Sequence, residues 1–204
     1  MIVEPIIGSF MNSAAGKHCE MIEQYLTIQT PFDEVSIVWI KAEAQVLVQH
    51  IFLSSPKISA EEKVFKKFPS AIPGTSKEVL ALGKLLQDFL KGNSIDFDFK
   101  LLDWKCCSNT QKQVLLAEAA IPRGWVSTYG RIANHLGIQY GARVVGGALA
   151  RNPFPLIIPC HRAINADGSL GGYQGGIPMK RRLLEQEGVQ FTNTGKVSMH
   201  KVYY

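Results

Sequence analysis

Cys160, His161 and Arg162 stand side by side after the apolar run Leu156-Ile157-Ile158-Pro159, which puts a nucleophile, a base and a cation at one point of the chain. A thiol attacks carbon as its thiolate, and a neighbouring imidazole or guanidinium lowers the pKa at which the thiolate forms. The three residues therefore predict a reactive sulfur, while leaving open how much of it is thiolate at rest. His161 is the candidate base. Pro153, Pro155 and Pro159 can neither continue a helix nor donate to a sheet ladder, so the approach to Cys160 is expected to be rigid and irregular. An inert buried cysteine is the commoner fate of this residue in an apolar run. The argument for chemistry comes from its neighbours.

Three other features bear on that sulfur. The segment 142–151 holds Ala142, Val144, Val145, Gly146, Gly147, Ala148 and Ala150, with Arg143 near its start and Arg151 at its end. Adjacent glycines cost a helix interior about 1 kcal/mol each relative to alanine. So smooth a helix serves either close packing on another helix or close approach to a nucleic-acid backbone and minor groove, whose edge pattern carries little sequence information. The segment Gly171-Gly172-Tyr173-Gln174-Gly175-Gly176 reads as a glycine-rich turn or loop. The helix expected over Met179–Glu187 offers two carboxylates, Glu185 and Glu187, that could orient an imidazole.

Taken in order, these residues resemble a known family. Asn152-Pro153-x-Pro155 followed by Pro159-Cys160-His161-Arg162 is similar to the active-site signature of the O6-alkylguanine-DNA alkyltransferases. The resemblance extends upstream through Tyr129-Gly130-Arg131-Ile132-Ala133 and Ala142-Arg143-Val144-Val145-Gly146-Gly147-Ala148. Downstream it runs through the glycine-rich loop to Lys180 and Leu183-Leu184-Glu185-Gln186-Glu187-Gly188, so it covers nearly everything from about Gln111 to Gly188. It implies an α+β protein of two domains: an N-terminal RNase H-like α/β domain over 1–105 and a C-terminal, mainly helical, winged helix-turn-helix alkyltransferase domain over 106–190. A tail over 191–204 follows.

The resemblance also implies roles. Cys160 takes the alkyl group from guanine O6, His161 acts on the thiol through a water, and Glu187 holds the other imidazole nitrogen. Asn152 stabilises the turn before the site, and Tyr129 crowds the target phosphate and donates to the base. Arg143 fills the gap left by an extruded nucleotide, while Ala142, Gly146, Gly147 and Arg151 belong to the DNA-facing helix. Pro155, Ala163, Tyr173, Gln174, Gly175 and Lys180 line or close the base pocket, Gln174 through its backbone N–H and Ala163 through its carbonyl. A thioether product has no good leaving group, so each molecule is expected to act once. The implied partner is double-stranded DNA, bound through the minor groove with the alkylated guanine flipped out. O4-alkylthymine is expected only as a secondary substrate, one the sequence itself does not test. No cofactor or metal is expected, the protein is expected to be a monomer, and the expected compartment is cytoplasmic, or nuclear in a eukaryote. The chain departs from the family's pattern at Ser108–Gln113, which lacks the phenylalanine common there, and His18, Cys19, His50 and Cys106-Cys107 lack convincing zinc-ligand spacing.

Bulk properties agree with this class. The 204-residue chain is 46% hydrophobic and carries a net charge of +5. Residues 104–204 hold 12 Lys and Arg against 4 Asp and Glu, whereas residues 1–103 hold 10 against 13, so a polyanion is expected to meet the second half. No apolar stretch approaches the ~20 residues of a membrane span, and Met1–Pro5 lacks the basic start of a secretory signal. Four cysteines make no disulfide framework, which points to a reducing compartment. Two other classes remain in view: a module that recognises alkylated bases without repairing them, and a helix-turn-helix regulator. The joint presence of Cys160, His161 and Glu187 argues against the first, and the lack of base-reading side chains on 142–151 argues against the second.

The elements that must position the site follow from patterning. Strands are predicted at Val35–Ile40 and Gln45–Leu53, joined by Lys41–Ala44, with a further strand from Ile95 through Phe97 and Phe99 towards Trp104. Helices are predicted around Ala60–Lys67, from the Ser76 cap to Gly92, over Thr110–Ala120, over Tyr129–Leu136 behind a Ser127 or Thr128 cap, and over Ala142–Arg151. A linker is placed at about 103–109, and 189–204 reads as an irregular tail.

Overall fold

The computed structural model describes residues 22–43 and 45–204. Met1–Pro5, His18, Cys19 and Ala44 lie outside the described residues. The described residues form a mixed α/β architecture: a four-stranded sheet in the first half, six helices, and a small two-stranded pairing in the second half.

The sheet comprises β1 (Gln24–Thr30), β2 (Asp33–Ala42), β3 (Gln45–Leu53) and the short β4 (Ile72–Pro73), in the order β3-β2-β1-β4. β1–β2 and β2–β3 are antiparallel and β1–β4 is parallel. Side chains alternate across a strand, and β2 uses both faces. Val35, Ile37 and Trp39 enter the main core with α2 (Lys77–Leu90), while Val38 joins Tyr25, Phe52 and the residues of α1 (Ala60–Lys67) on the other face. The predicted connection Lys41–Ala44 is shorter than expected, because β2 runs on to Ala42. Ser59 caps α1 with a full capping box to Glu62, and Ser76 caps α2 through the Val79 N–H.

The strand predicted from Ile95 towards Trp104 does not form. Single 3-10 turns occupy Phe99–Leu101 and Trp104–Cys106 instead. The alternation of Ile95, Phe97 and Phe99 reflects packing against the core without a ladder partner. Asp98 and Asp103 turn their side chains onto the N–H groups of Lys100 and Lys105, which favours tight turns over extension.

In the second half, α3 (Asn109–Ala119), α4 (Tyr129–His135) and α5 (Ala142–Ala150) pack on one another, and α6 (Ile177–Gln186) closes the unit. Thr128 is the cap of α4, through the Arg131 N–H. Gly137, at φ 68°, ends the helix and begins the turn into α5. Gln111 donates from its side chain to the carbonyls of Ala148 and Arg151 and so caps the C-terminus of α5. Arg123 likewise ties Gly92, after α2, to Gln186 at the end of α6.

The predicted tail is a packed strap. Val126 exchanges backbone hydrogen bonds with Lys201 and Tyr203, and the Tyr204 hydroxyl donates to the Ala117 carbonyl. One hydrophobic cluster runs from Val35 and Leu53 of the sheet through Val114, Val145 and Ile158 to Leu183.

The outer edge of β3 explains how the halves meet. An open strand edge exposes unpaired backbone groups and is normally covered. Here Asp103 N–H donates to the Val48 carbonyl and Ile51 N–H to the Pro153 carbonyl. Leu53 N–H donates to the Gln174 side chain at 2.7 Å. The segments on either side of Cys160 are thus pinned to a sheet edge that the sequence did not mark as functional.

Candidate active site

Residues 152–159 carry no regular element, as their prolines require, and Leu156 takes a positive φ of 74°. Asn152 is buried and holds this path in place. Its Oδ1 accepts from Phe154 N–H at 2.9 Å, and its Nδ2 donates to the Ile158 carbonyl at 3.2 Å. Cys160 follows at the start of a 3-10 turn (Cys160–Arg162) whose next residues, Ala163–Ile164 (β6), pair in parallel with Ser127–Thr128 (β5) just before α4. This pairing holds the cysteine turn against the start of α4.

Cys160 is a free thiol on the wall of a cavity of about 410 Å³. Tyr129 and Gly146 form the α4–α5 side, Asn152 and Pro155 the floor, and Tyr173 with Gln174 the opposing loop. Gly171, at φ 69°, lets the loop come close to Tyr129, because a Cβ there would lie 2.7 Å from the tyrosine hydroxyl. Gln174 is fixed by Leu53, and Lys63 of α1 bridges the carbonyls of Leu53 and Gln174 at 2.6 and 3.3 Å.

Behind the sulfur, His161 is fully buried and its Nε2 lies 3.0 Å from Glu187 Oε1. Its Nδ1 has no hydrogen-bond partner among the described residues. Glu187, at the C-cap of α6, also accepts two hydrogen bonds from Arg162, Nε to Oε2 at 2.8 Å and Nη2 to Oε1 at 2.7 Å. Arg162 Nη1 donates to the Ile121 carbonyl at 2.6 Å. Burial alone would raise the Glu187 pKa, but His161 and Arg162 outweigh it and hold the carboxyl well below the usual range. Burial lowers the pKa of His161 despite Glu187, so the imidazole is neutral near pH 7. Glu187, not Glu185, is thus the carboxylate on the imidazole. Glu185 pairs with Arg181 on the exposed side of α6.

The neighbouring His161 and Arg162 do not make the thiol acidic at rest. Burial is the largest influence and pushes Cys160 up to about 11, while Asn152 and Lys180 pull it down only in part. Arg162 spends its charge on Glu187 and the Ile121 carbonyl, so sequence adjacency does not translate into help for the sulfur.

The remaining sequence-predicted residues fall into two groups. Lys180 is fully buried, and its ammonium donates to the carbonyls of Ala163 at 2.6 Å and Gly172 at 3.3 Å; burial lowers its pKa to about 8. Gly175 is also buried, with no room for a Cβ beside Met179. Ala142 and Arg143 on α5 and Arg151 just after it are exposed and do not line the cavity, and the Arg151 guanidinium lies over Gly147. The roles of Arg162 and Gln174 as anchors, and a buried carboxyl at Glu118, were not legible in the sequence. The apolar neighbours of Glu118 in α3 gave the only hint, an acidic residue on a core-facing position.

Fold and site together define a class: an α/β protein presenting a buried cysteine, backed by a histidine–carboxylate–arginine cluster, in a cavity beside an exposed helix of small residues. Comparison with known proteins gives that class a name. Residues 109–189 match the family described as 6-O-methylguanine DNA methyltransferase, DNA binding domain. The methylated-DNA–protein-cysteine methyltransferase of Methanothermobacter thermautotrophicus is 49% identical over 117 residues, which is 56% of this chain and 65% of that protein. The protein of the same name from Mycobacterium bovis is 43% identical over 50% of this chain and 61% of that protein. The chain therefore aligns with less than two thirds of the length of these curated relatives. The crystal structure of Mycobacterium tuberculosis OGT in complex with DNA is 31% identical, with a TM-score of 0.63, over 80% of this chain and 92% of that one. The chain belongs to the O6-methylguanine-DNA methyltransferase family.

Proposed function

We propose that this protein repairs DNA by transferring the alkyl group of O6-alkylguanine, and secondarily of O4-alkylthymine, irreversibly to Cys160. The observation that carries the reading is the sulfur's position: on the wall of a cavity of about 410 Å³, with a neutral imidazole, oriented by Glu187, on the next residue of the same turn. The thiol is neutral at rest, so a base must take its proton as attack begins. His161 does this through a water at Nδ1, which is buried and has no hydrogen-bond partner among the described residues, and the positive charge it gains is balanced by Glu187. The sulfur–carbon bond forms as the carbon–O6 bond breaks, and the bonding pair leaves with guanine. No group in the site can reverse a thioether, so one molecule repairs one base.

In this reading the first half is an RNase H-like domain (1–105), and 106–190 is a winged helix-turn-helix domain whose second helix, α5, enters the minor groove, with 191–204 as a strap. Ala142, Gly146 and Gly147 allow close approach, Arg151 meets phosphate, and exposed Arg143 replaces the flipped guanine in the stack. Tyr129 crowds the target phosphate and donates to the base, and Gln174 offers its N–H to O6. Gly175 lets the loop close over the base, with Tyr173 on its face. Pro155 lines the alkyl side. The Ala163 carbonyl has one lone pair on Lys180 and presents the other to the exocyclic amine. Lys180 helps stabilise the charge on the leaving base. The protein acts as a monomer, needs no cofactor, and belongs to a reducing compartment that holds DNA.

Incubation with a duplex containing O6-methylguanine should add one methyl group to Cys160, seen by mass spectrometry of the peptide. Cys160→Ala should abolish transfer while leaving DNA affinity intact. An unmodified Cys160 after prolonged incubation refutes the assignment.

A further inference from the structure

Glu118 sits in the last turns of α3, fully buried, and neither carboxyl oxygen has a hydrogen-bond partner of normal geometry among the described residues, although the Ala163 N–H lies close enough to act on it. An ionised carboxylate in that condition is costly, and such a group in a folded protein calls for an explanation. Its surroundings are polar. α3 packs on the 160–162 turn. The charged and titratable groups that act on Glu118 or feel it are Lys180 from α6, Arg162 and Cys160 from that turn, Tyr129 from α4 and Tyr204 from the terminal strap. Arg162 is already committed to Glu187. Lys180 is different: its ammonium is held by two neutral carbonyls and has no carboxylate within salt-bridge distance among the described residues. One buried cation therefore faces two groups able to become anions, the Glu118 carboxyl and the Cys160 thiol.

We propose that Glu118 is a positioning residue that governs the charge on Cys160: carboxyl and thiol compete for the single negative charge that Lys180 balances, so Glu118 stays protonated while Cys160 gives up its proton. Burial raises Glu118 to about 8, with Lys180, Arg162 and the nearby Ala163 N–H offsetting only part of it. Near pH 7 the carboxyl is then neutral and the thiolate, when it forms, faces Lys180 alone. Above that pH an ionised Glu118 opposes the thiolate, and its influence on Cys160 is in the raising direction. Two sites coupled in this way titrate as a pair. In the reaction itself the thiol proton leaves through His161 and the guanine anion is reprotonated, so Glu118 neither gains nor loses a proton in a turnover. The proposal rests on Cys160 being the alkyl acceptor and is independent of the donor.

The test uses iodoacetamide on the intact protein, followed by mass spectrometry of the Cys160 peptide, so it needs no DNA. The wild-type rate should climb with pH, falter in a shoulder near pH 8, and climb again. Glu118→Gln should remove the shoulder and run roughly tenfold faster at pH 9, the effect of one pKa unit of lost repulsion. His161, already neutral in this range, cannot produce the shoulder. A wild-type profile without a shoulder overturns the proposal. So does a shoulder that survives in Glu118→Gln, which would assign it to Lys180. Should that variant fail to fold, glutamate carboxyl ¹³C signals of the wild type decide. One must titrate near pH 8, and the absence of any midpoint above about 6 overturns the idea. Failure of methyl transfer from DNA would leave these readouts unchanged, so the two readings fail separately.

Discussion

The polar groups behind Cys160 and those beside it are built on opposite plans. Behind the sulfur, Glu187 accepts from His161 and twice from Arg162, and Arg162 also reaches the Ile121 carbonyl. Beside it, Glu118 is at least as buried and has no hydrogen-bond partner of normal geometry among the described residues, while Lys180 rests on carbonyls. The same side-chain chemistry therefore has opposite pKa values: Glu187 held well below the ordinary carboxylate range, Glu118 raised to about 8. Partner geometry decides which. A fully satisfied buried network locks a tautomer and an orientation, whereas an unsatisfied group stays responsive to charge nearby.

The comparison can be broken most forcefully at Glu187. Glu187→Gln leaves Arg162 as a buried cation without its counter-ion, and removal of one partner from a buried pair costs about 3–5 kcal/mol. Chemical denaturation should show that loss, together with a marked fall in the rate of methyl transfer, because the imidazole loses its orienting carboxylate. A stability change below about 1 kcal/mol would mean that the cluster is not the fixed unit its distances describe.

Stability against pH should separate the two carboxyls by sign. Glu187 has a folded pKa below its ordinary value of 4.5, so its contribution is present above that pH and is lost as pH falls towards the folded value. Glu118 has a folded pKa above 4.5, so its contribution is greatest below 4.5 and declines as pH rises through about 8, by on the order of a few kcal/mol. Urea midpoints measured from pH 4 to 9 for Glu118→Gln should decline less on the alkaline side than those of the wild type. Parallel curves would remove the contrast.

Arg162→Lys should cost about 1–2 kcal/mol, since an ammonium cannot reproduce the two parallel hydrogen bonds to Glu187 or reach Ile121 as well. An unchanged thermal midpoint would show that charge alone suffices there. The smallest effect is expected where the loop meets the sheet. Gln174→Ala removes the acceptor for the Leu53 N–H and should cost about 1 kcal/mol, with faster hydrogen exchange at Leu53 as the local sign.

Much of this protein was legible along the chain because its determinants are local. Ser59 and Ser76 cap helices through N–H groups three residues away, Thr128 does the same, and β3 spans Gln45–Leu53 as its pattern predicts. The order Asn152, Pro155, Cys160, His161 likewise pointed to the candidate site, because the prolines and the buried asparagine shape the path within a dozen residues, whereas Glu187 came from the resemblance alone. Local pattern misled at Ile95–Phe99, where alternating burial had no strand to pair with, and at β1, whose alternation of Tyr25, Thr27 and Gln29 with apolar neighbours gave too weak a signal.

What the sequence determined by itself was which residues could react and which short elements carry them, since capping, turn chemistry and proline act over a few bonds. The tertiary structure alone decided the electrostatics. Whether the sulfur is acidic, whether Arg162 serves Cys160 or Glu187, and whether a glutamate on α3 is charged all depend on desolvation and on partners brought in from distant parts of the chain. These are properties of the packed interior, and no spacing along the chain encodes them.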